Sequence, residues 1–286
     1  MRTETFETPG ELRVEVRLGA GEVRLETADV QETTVVLEPL RDNDASIAAV
    51  ESARVELRER AGGHELVIDA RDRGRGIFRN AEVLVSVACP EGTSVETKSG
   101  SADVSGRGRF GSVEVETGSG DVEFGEIAGE ARVNAASGDV QLAEVGGYLR
   151  ANTASGDILA RSVRGEAKVN TASGDVIIRE VAGELSVNSA SGDVLVREAG
   201  SSVSVNTASG DQEIGSVAQG SVSLKSASGD LKVGIREGST LWVDARSRSG
   251  DVRSELPVSE LPPEDDGPTV ELRANTMSGD ITVTRA

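Results

Sequence analysis

Histidine, cysteine and aromatic side chains are nearly missing from this chain of 286 residues, which has one His, one Cys and only 2% Phe, Tyr and Trp together. A single histidine, His64, excludes a histidine-based metal cluster and leaves little room for a Ser/His/Asp set. It follows Gly62-Gly63 and reads as solvated. A single cysteine, Cys89, excludes an internal disulfide. It stands before Pro90 at a strand exit and reads as a buried structural thiol. With hydrophobic residues at 37% and 34 glycines, the shortage of aromatics argues against one thick, isotropic core. Lys and Arg number 30 against 49 Asp and Glu, a net charge of −19, which excludes a phosphate-neutralising surface for nucleic acid. No uncharged apolar run approaches the roughly 18 residues of a membrane span. The opening Met1-Arg2-Thr3-Glu4-Thr5-Phe6-Glu7 lacks the apolar stretch of a signal peptide. That reads as a cytoplasmic protein, extracellular or at the envelope only if exported by another route.

What is present is a repeat. Ser-Gly-Asp recurs with its aspartates at Asp121, Asp139, Asp157, Asp175, Asp193 and Asp211, each 18 residues after the last. The spacing then widens to 19, 21 and 29, at Asp230, Asp251 and Asp280. A degenerate copy, Ser99-Gly100-Ser101-Ala102-Asp103, precedes the array. One residue after each aspartate lie Val122, Val140, Ile158, Val176, Val194 and then Gln212; three after it lie Phe124, Leu142, Ala160, Ile178, Val196 and Ile214. Segments such as Leu185-Ser186-Val187 and Val194-Leu195-Val196 alternate with period two, which predicts strands, and the glycines mark turns. An 18-residue unit cannot bury its own apolar face, so units must stack at about 4.8 Å per coil. No proline interrupts residues 91–256, as continuous ladders require. The expectation is an all-β chain folded as a single-chain β-solenoid, a parallel β-helix of right-handed coil. Residues 1–90 would form an irregular cap with a short helix over 43–53, residues 91–252 the regular repeats, and residues 253–286 an exposed loop and capping strands.

The aspartate row is the first candidate site. Carboxylates stacked about 5 Å apart repel by about 0.8 kcal/mol per pair in bulk water, so something must offset the repulsion. In one reading Asp121, Asp139, Asp157, Asp175, Asp193 and Asp211 form a cation row resembling that of calcium-binding β-rolls. In the favoured reading each Asp accepts backbone N–H bonds within its own turn, and no metal or cofactor is bound. Asn134, Asn152, Asn170, Asn188 and Asn206 form a second row, read as a structural amide ladder, with a sugar-binding row as the alternative. Thr153, Thr171, Ser189 and Thr207 sit beside it as a small-residue column. Gln212 breaks an aliphatic column and predicts a local register change near residues 212–220. The basic run Arg71-Asp72-Arg73-Gly74-Arg75-Gly76 reads as a loop, with anion binding as its alternative. Nothing fits a nucleophile elbow or a Walker-type phosphate loop, and a motif repeated this often argues against a single catalytic site.

The Ser-Gly-Asp-Val pattern, the lead-in Pro90-Glu91-Gly92-Thr93-Ser94-Val95 and the late Ser-Gly-Asp after a proline-rich insertion resemble a bacterial putative-adhesin family. That family consists of β-strand repeat domains of unknown function. The likeness covers most of residues 10–286 and is strongest over 90–286. It implies the solenoid fold and a link to the cell envelope or its stress response. The functional expectation is a non-catalytic scaffold or interaction module with an unknown protein or surface ligand as partner. The alternatives are a binder of cations, glycans or cationic peptides, or a self-assembling filament. The chain is expected as a monomer or in weak end-to-end association.

Overall fold

An apolar column becomes a core only when the next coil covers it, and the 18-residue period makes each coil cover its neighbour residue for residue. The computed structural model describes residues 1–60, 62–71, 81–256 and 268–286. They form two units, Met1–Gly146 and Gly147–Ala286, divided inside the regular repeats. Each unit is a β-solenoid. Residues 72–76 of the basic run lie outside the described residues, as do Pro257, Pro262, Pro263 and the acidic Glu264-Asp265-Asp266.

The first unit contains β1 (Arg2–Glu7), β2 (Glu11–Ala28), β3 (Glu32–Pro39), α1 (Asp44–Ser52), β4 (Arg54–Arg60) and β5 (Gly63–Ala70). It continues with β6 (Val83–Pro90), β7 (Ser94–Phe110), β8 (Val113–Ser119), β9 (Val122–Ile127), β10 (Ala131–Ser137) and β11 (Val140–Val145). β2 and β7 are each long enough to run through a whole coil, and they pair in parallel along their length. One face therefore runs β4–β5–β2–β7–β8–β10, and the other β1–β3–β6–β2–β7–β9–β11. Among the described residues of this unit only the outer pairs β1–β3, β3–β6 and β4–β5 are antiparallel. The edge strand β4 carries Arg54, Glu56, Arg58 and Arg60, charges that oppose addition of another chain. The short helix forms as expected, with the Asn43 side chain accepting the Ser46 N–H at 2.7 Å to cap its first turn.

The second unit holds β12 (Leu149–Ser155), β13 (Ile158–Val163), β14 (Ala167–Ser173), β15 (Val176–Val181), β16 (Leu185–Ser191), β17 (Val194–Ala199) and β18 (Val203–Ser209). After these come β19 (Gln212–Val217), β20 (Gly220–Ser228), β21 (Leu231–Ile235), β22 (Thr240–Ser247), β23 (Val252–Ser254), β24 (Thr269–Ser278) and β25 (Ile281–Arg285). Every coil gives one strand to each of two parallel faces. The inward columns are the ones read from the sequence: Ala167, Val169, Val176, Ile178 and Val181 of one coil are all buried, as are Leu185, Val187, Val194, Val196 and Ala199 of the next. The C-terminal strands do not close the stack. β24 lies between β20 and β22, and β25 between β21 and β23, so the outermost coil is residues 240–254 with the chain end tucked beneath it.

Cys89 is fully buried, its thiol 3.7 Å from the Glu26 carbonyl oxygen, and burial pushes its pKa up to about 11. A thiol-modifying reagent at pH 8 should therefore leave the folded protein untouched and label the urea-unfolded protein fully. Labelling of the folded protein at a rate comparable to that of the unfolded chain would contradict the burial. His64 is not simply solvated: it is half-buried on β5, and its Nδ1 is enclosed without a partner.

Candidate functional site

The Ser-Gly-Asp corners are built around glycine. Gly174 has φ +119°, and a Cβ there would stand 2.2 Å from the Gly156 carbonyl oxygen of the coil before. With the backbones this close, the following aspartate can reach across coils. Asp175 N–H donates to Asp157 Oδ1 at 2.8 Å, Asp193 N–H to Asp175 Oδ1 at 2.8 Å, and Asp211 N–H to Asp193 Oδ1 at 2.8 Å. The chain of acceptors continues from Asp211 to Asp230 and Asp280 and ends at Asp251. In the first unit Asp121 N–H donates to Asp103 Oδ1 at 3.0 Å and Asp139 N–H to Asp121 Oδ1 at 2.9 Å. Each carboxylate thus braces the corner of the next coil. The expectation that it serves its own turn is corrected, because the neighbouring coil's N–H lies within reach. Among the described residues no three His, Cys, Asp or Glu side chains come together as a metal-binding group.

This geometry makes a paired prediction. Asp175→Asn keeps an acceptor oxygen for Asp193 N–H and removes one charge from a repelling row, so stability should change by less than about 1 kcal/mol. Asp175→Ala removes the acceptor and should cost more, about 1–2 kcal/mol. Equal urea midpoints for the two variants would show that the cross-coil bond contributes nothing.

The asparagine row hydrogen-bonds in one direction. Asn170 Nδ2 donates to Asn152 Oδ1 at 2.8 Å, Asn188 to Asn170 at 3.0 Å and Asn206 to Asn188 at 3.1 Å. Each amide in the ladder spends one of its two N–H donors on one neighbour and one of its two lone pairs on the other, which fixes the direction of the row. Beside it, buried Thr153 donates to Thr171 at 3.1 Å, and Thr171 and Ser189 share the same column.

Gln212 is 1% exposed, and its Nε2 donates to Thr207 Oγ1 at 2.8 Å and to the Lys225 carbonyl at 2.9 Å. Its Oε1 has no partner. The register shift expected here falls between Ile214 and Val217 of β19.

Two features of the first unit escaped the sequence reading. One is a groove of about 630 Å³ on the β3–β6–β2–β7–β9 face, where Arg24, Arg107, Asp103, Asp121 and Glu123 surround the small Ser86, Ala88 and Ser105. A bulge beside it shifts the register of β7 between Gly106 and Arg109. Gly106 also leaves room for Phe124, whose ring meets Phe110 edge-on with centroids 5.3 Å apart. The bulge is legible as Phe110 standing seven residues after Asp103, where Ile127 stands six after Asp121.

The other is a lattice of charge on the opposite face. Buried Glu15, Glu65 and Asp69 pair with Arg17, Arg60 and Arg71, and Glu96 pairs with Arg13 and Lys98. Burial alone would raise the pKa of Glu96, but the hydrogen bonds from Arg13 and Lys98 outweigh it and hold it below the usual carboxylate range. A lowered folded pKa contributes stability above the unfolded value near 4.3, and this is lost as pH falls through the folded value. Glu96→Gln should therefore be less stable than the parent at pH 7 and should close that gap below about pH 4.

No curated protein matches the chain. Among solved structures, a putative lipid binding protein of Parabacteroides distasonis ATCC 8503 is 14% identical, with a TM-score of 0.46 over 99% of this chain and 96% of that one. A putative cell adhesion protein from Clostridium sporogenes ATCC 15579 is 10% identical, with a TM-score of 0.28 over 100% and 99% of the two chains. A putative adhesin of Bacteroides fragilis NCTC 9343 is 10% identical, with a TM-score of 0.37 over 100% and 96%. The family model described as Toastrack DUF4097 matches residues 24–218.

Proposed function

The chain belongs to the Toastrack DUF4097 family, and from that premise we propose that it is a non-catalytic β-solenoid interaction module that presents rows of side chains to a macromolecular partner at or near the cell envelope. The observation that carries this reading is register. From β12 to β18 and from β13 to β17, every outward position repeats on each coil without a slip. Side chains held on such a frame lose little freedom when a partner binds, which favours binding by a preorganised surface. The groove of the first unit supports a second reading, a binder of a small polar ligand, since about 630 Å³ is a usual size for such a site.

A photoreactive side chain placed at Ser186, Ser204 or Leu195 of the full chain tests the first reading in lysate of the native host. Saturable cross-linking to one macromolecule is expected. If no position captures anything, and a monosaccharide instead binds the parent but not Arg107→Glu, the small-ligand reading replaces it.

A further inference from the structure

On the outer surface of the second unit, three neighbouring coils depart from the polar pattern. Leu159, Ile177 and Leu195 occupy the same outward position of β13, β15 and β17, paired in register and half-buried. Two residues further on, Arg161, Arg179 and Arg197 are exposed and stack in a second row. The molecule therefore carries an apolar line beside a cationic line, each spanning three coils and about 7 Å apart, the spacing of same-face residues along a strand.

Elsewhere in this unit Lys232, Arg236, Arg246, Arg253 and Arg273 each pair with a carboxylate, whereas Arg150, Lys168, Lys225 and Arg248 have no side-chain ion pair among the described residues. What sets Arg161, Arg179 and Arg197 apart is a column three coils deep beside an apolar one. Among the described residues Arg161, Arg179 and Arg197 form no ion pair or hydrogen bond, although the chain carries an excess of acid. The adjacent Glu198 is engaged by Arg236 at 3.4 Å. Three like charges stacked about one strand spacing apart repel, and no carboxylate among the described residues stands within ion-pair distance of them. The patch ends where Glu213, next in the apolar column, pairs with Lys232 at 2.8 Å.

We propose that this face docks an acidic amphipathic helix of a partner protein, laid along the stack and across the strands. The proposal rests on the interaction-module reading and names its surface and partner class. A helix rises about 5.4 Å per turn, close to the roughly 4.8 Å between coils, so one residue per turn can meet each coil. An apolar ridge then covers Leu159, Ile177 and Leu195, and the neighbouring ridge of Glu or Asp meets the arginines. An extended segment along the same line repeats each face at about 6.7 Å and falls out of step after one coil. An anionic membrane would meet only a patch about 10 Å long on a strongly acidic protein, and would be repelled around it.

The test uses the full chain and a fluorescent helical peptide of about five turns, with Leu on one ridge and Glu on the next over its three central turns and uncharged polar residues elsewhere. Binding is read by anisotropy, alongside sedimentation with phosphatidylglycerol-containing vesicles. Saturable binding that weakens with salt is expected. It should fall at least about tenfold when the peptide's Glu residues become Gln, and equally in the Arg161→Ser, Arg179→Ser, Arg197→Ser triple variant. Arg179→Lys, which keeps the charge, should stay within about threefold of the parent. Undetectable peptide binding, binding that ignores both the Gln peptide and the triple variant, or vesicle binding in place of peptide binding overturns the proposal. Cross-linking to a lysate partner through Ser186 alone would leave the module reading standing while this patch fails.

Discussion

Gly174→Ala lowers the stability of the protein by about 3–5 kcal/mol, seen as a large fall in the urea midpoint. Two costs add. The backbone there has φ +119°, a region that side-chain-bearing residues avoid at about 1–3 kcal/mol. The new methyl would also stand 2.2 Å from the Gly156 carbonyl oxygen and 2.7 Å from its carbon. Those are backbone atoms already fixed in the coil below, so relief requires two coils to separate. That movement stretches the Asp175 N–H bond to Asp157, which spans the same corner. Two control substitutions separate the costs. Gly238→Ala keeps the positive φ, +84°, but meets nothing within 4 Å, and should cost about 1–2 kcal/mol. Gly19→Ala has neither burden and should stay within about 0.5 kcal/mol of the parent. If Gly174→Ala costs no more than Gly238→Ala, the close approach of coils at this corner is wrong.

The same corner shows what a repeat reveals and what it hides. The 18-residue spacing of Asp157, Asp175 and Asp193 made the solenoid and its inward columns legible, because a fixed period places equal residues over one another. It could not say that each carboxylate serves the neighbouring coil, since the acceptor's partner lies 18 residues away and not in the local turn. Nor could it order the last coils. The widening intervals to Asp230, Asp251 and Asp280 suit a simple continuation, whereas the structure places Asp280 between Asp230 and Asp251. In the first unit, period-two alternation is the same for parallel and antiparallel strands, so it could not say that β3 and β4 pair antiparallel to their neighbours. The groove and the charge lattice of that unit depend on which strands become neighbours, which alternation alone does not specify. The row of Arg161, Arg179 and Arg197 was visible in the sequence; its lack of carboxylate partners was not.

Gln212→Glu is the second substitution with a large expected effect, and its signature is its pH dependence. Gln212 is 1% exposed, held between Val194 and Leu231 in the aliphatic column, with its amide nitrogen donating to Thr207 Oγ1 and the Lys225 carbonyl. A carboxylate in that place turns the 2.9 Å contact with the carbonyl from a bond into a repulsion. The other oxygen inherits the environment of Oε1, which has no donor. Lys225 gives no relief, because its side chain is on the exposed side of β20. The Thr207 hydroxyl could donate to the carboxylate only by giving up its bond to Ser226 Oγ, and burial without a free donor or a cation raises a carboxyl pKa by about 3 units, equivalent to about 4 kcal/mol against folding at neutral pH. The sign follows from linkage. A raised folded pKa means the folded state holds the proton more tightly, so the penalty is full above that pKa and disappears as pH falls below the unfolded value near 4.3. The gap between variant and parent should therefore shrink from about 4 kcal/mol at pH 8 to about 1 at pH 4, where a protonated oxygen can again donate to Lys225. Gln212→Leu isolates the loss of the amide, and its gap should not change with pH. Urea unfolding of the three proteins at both pH values decides the matter. A Gln212→Glu gap that is the same at both would mean the new carboxylate reaches water or a cation, and this column would not be the closed core that its aliphatic neighbours imply.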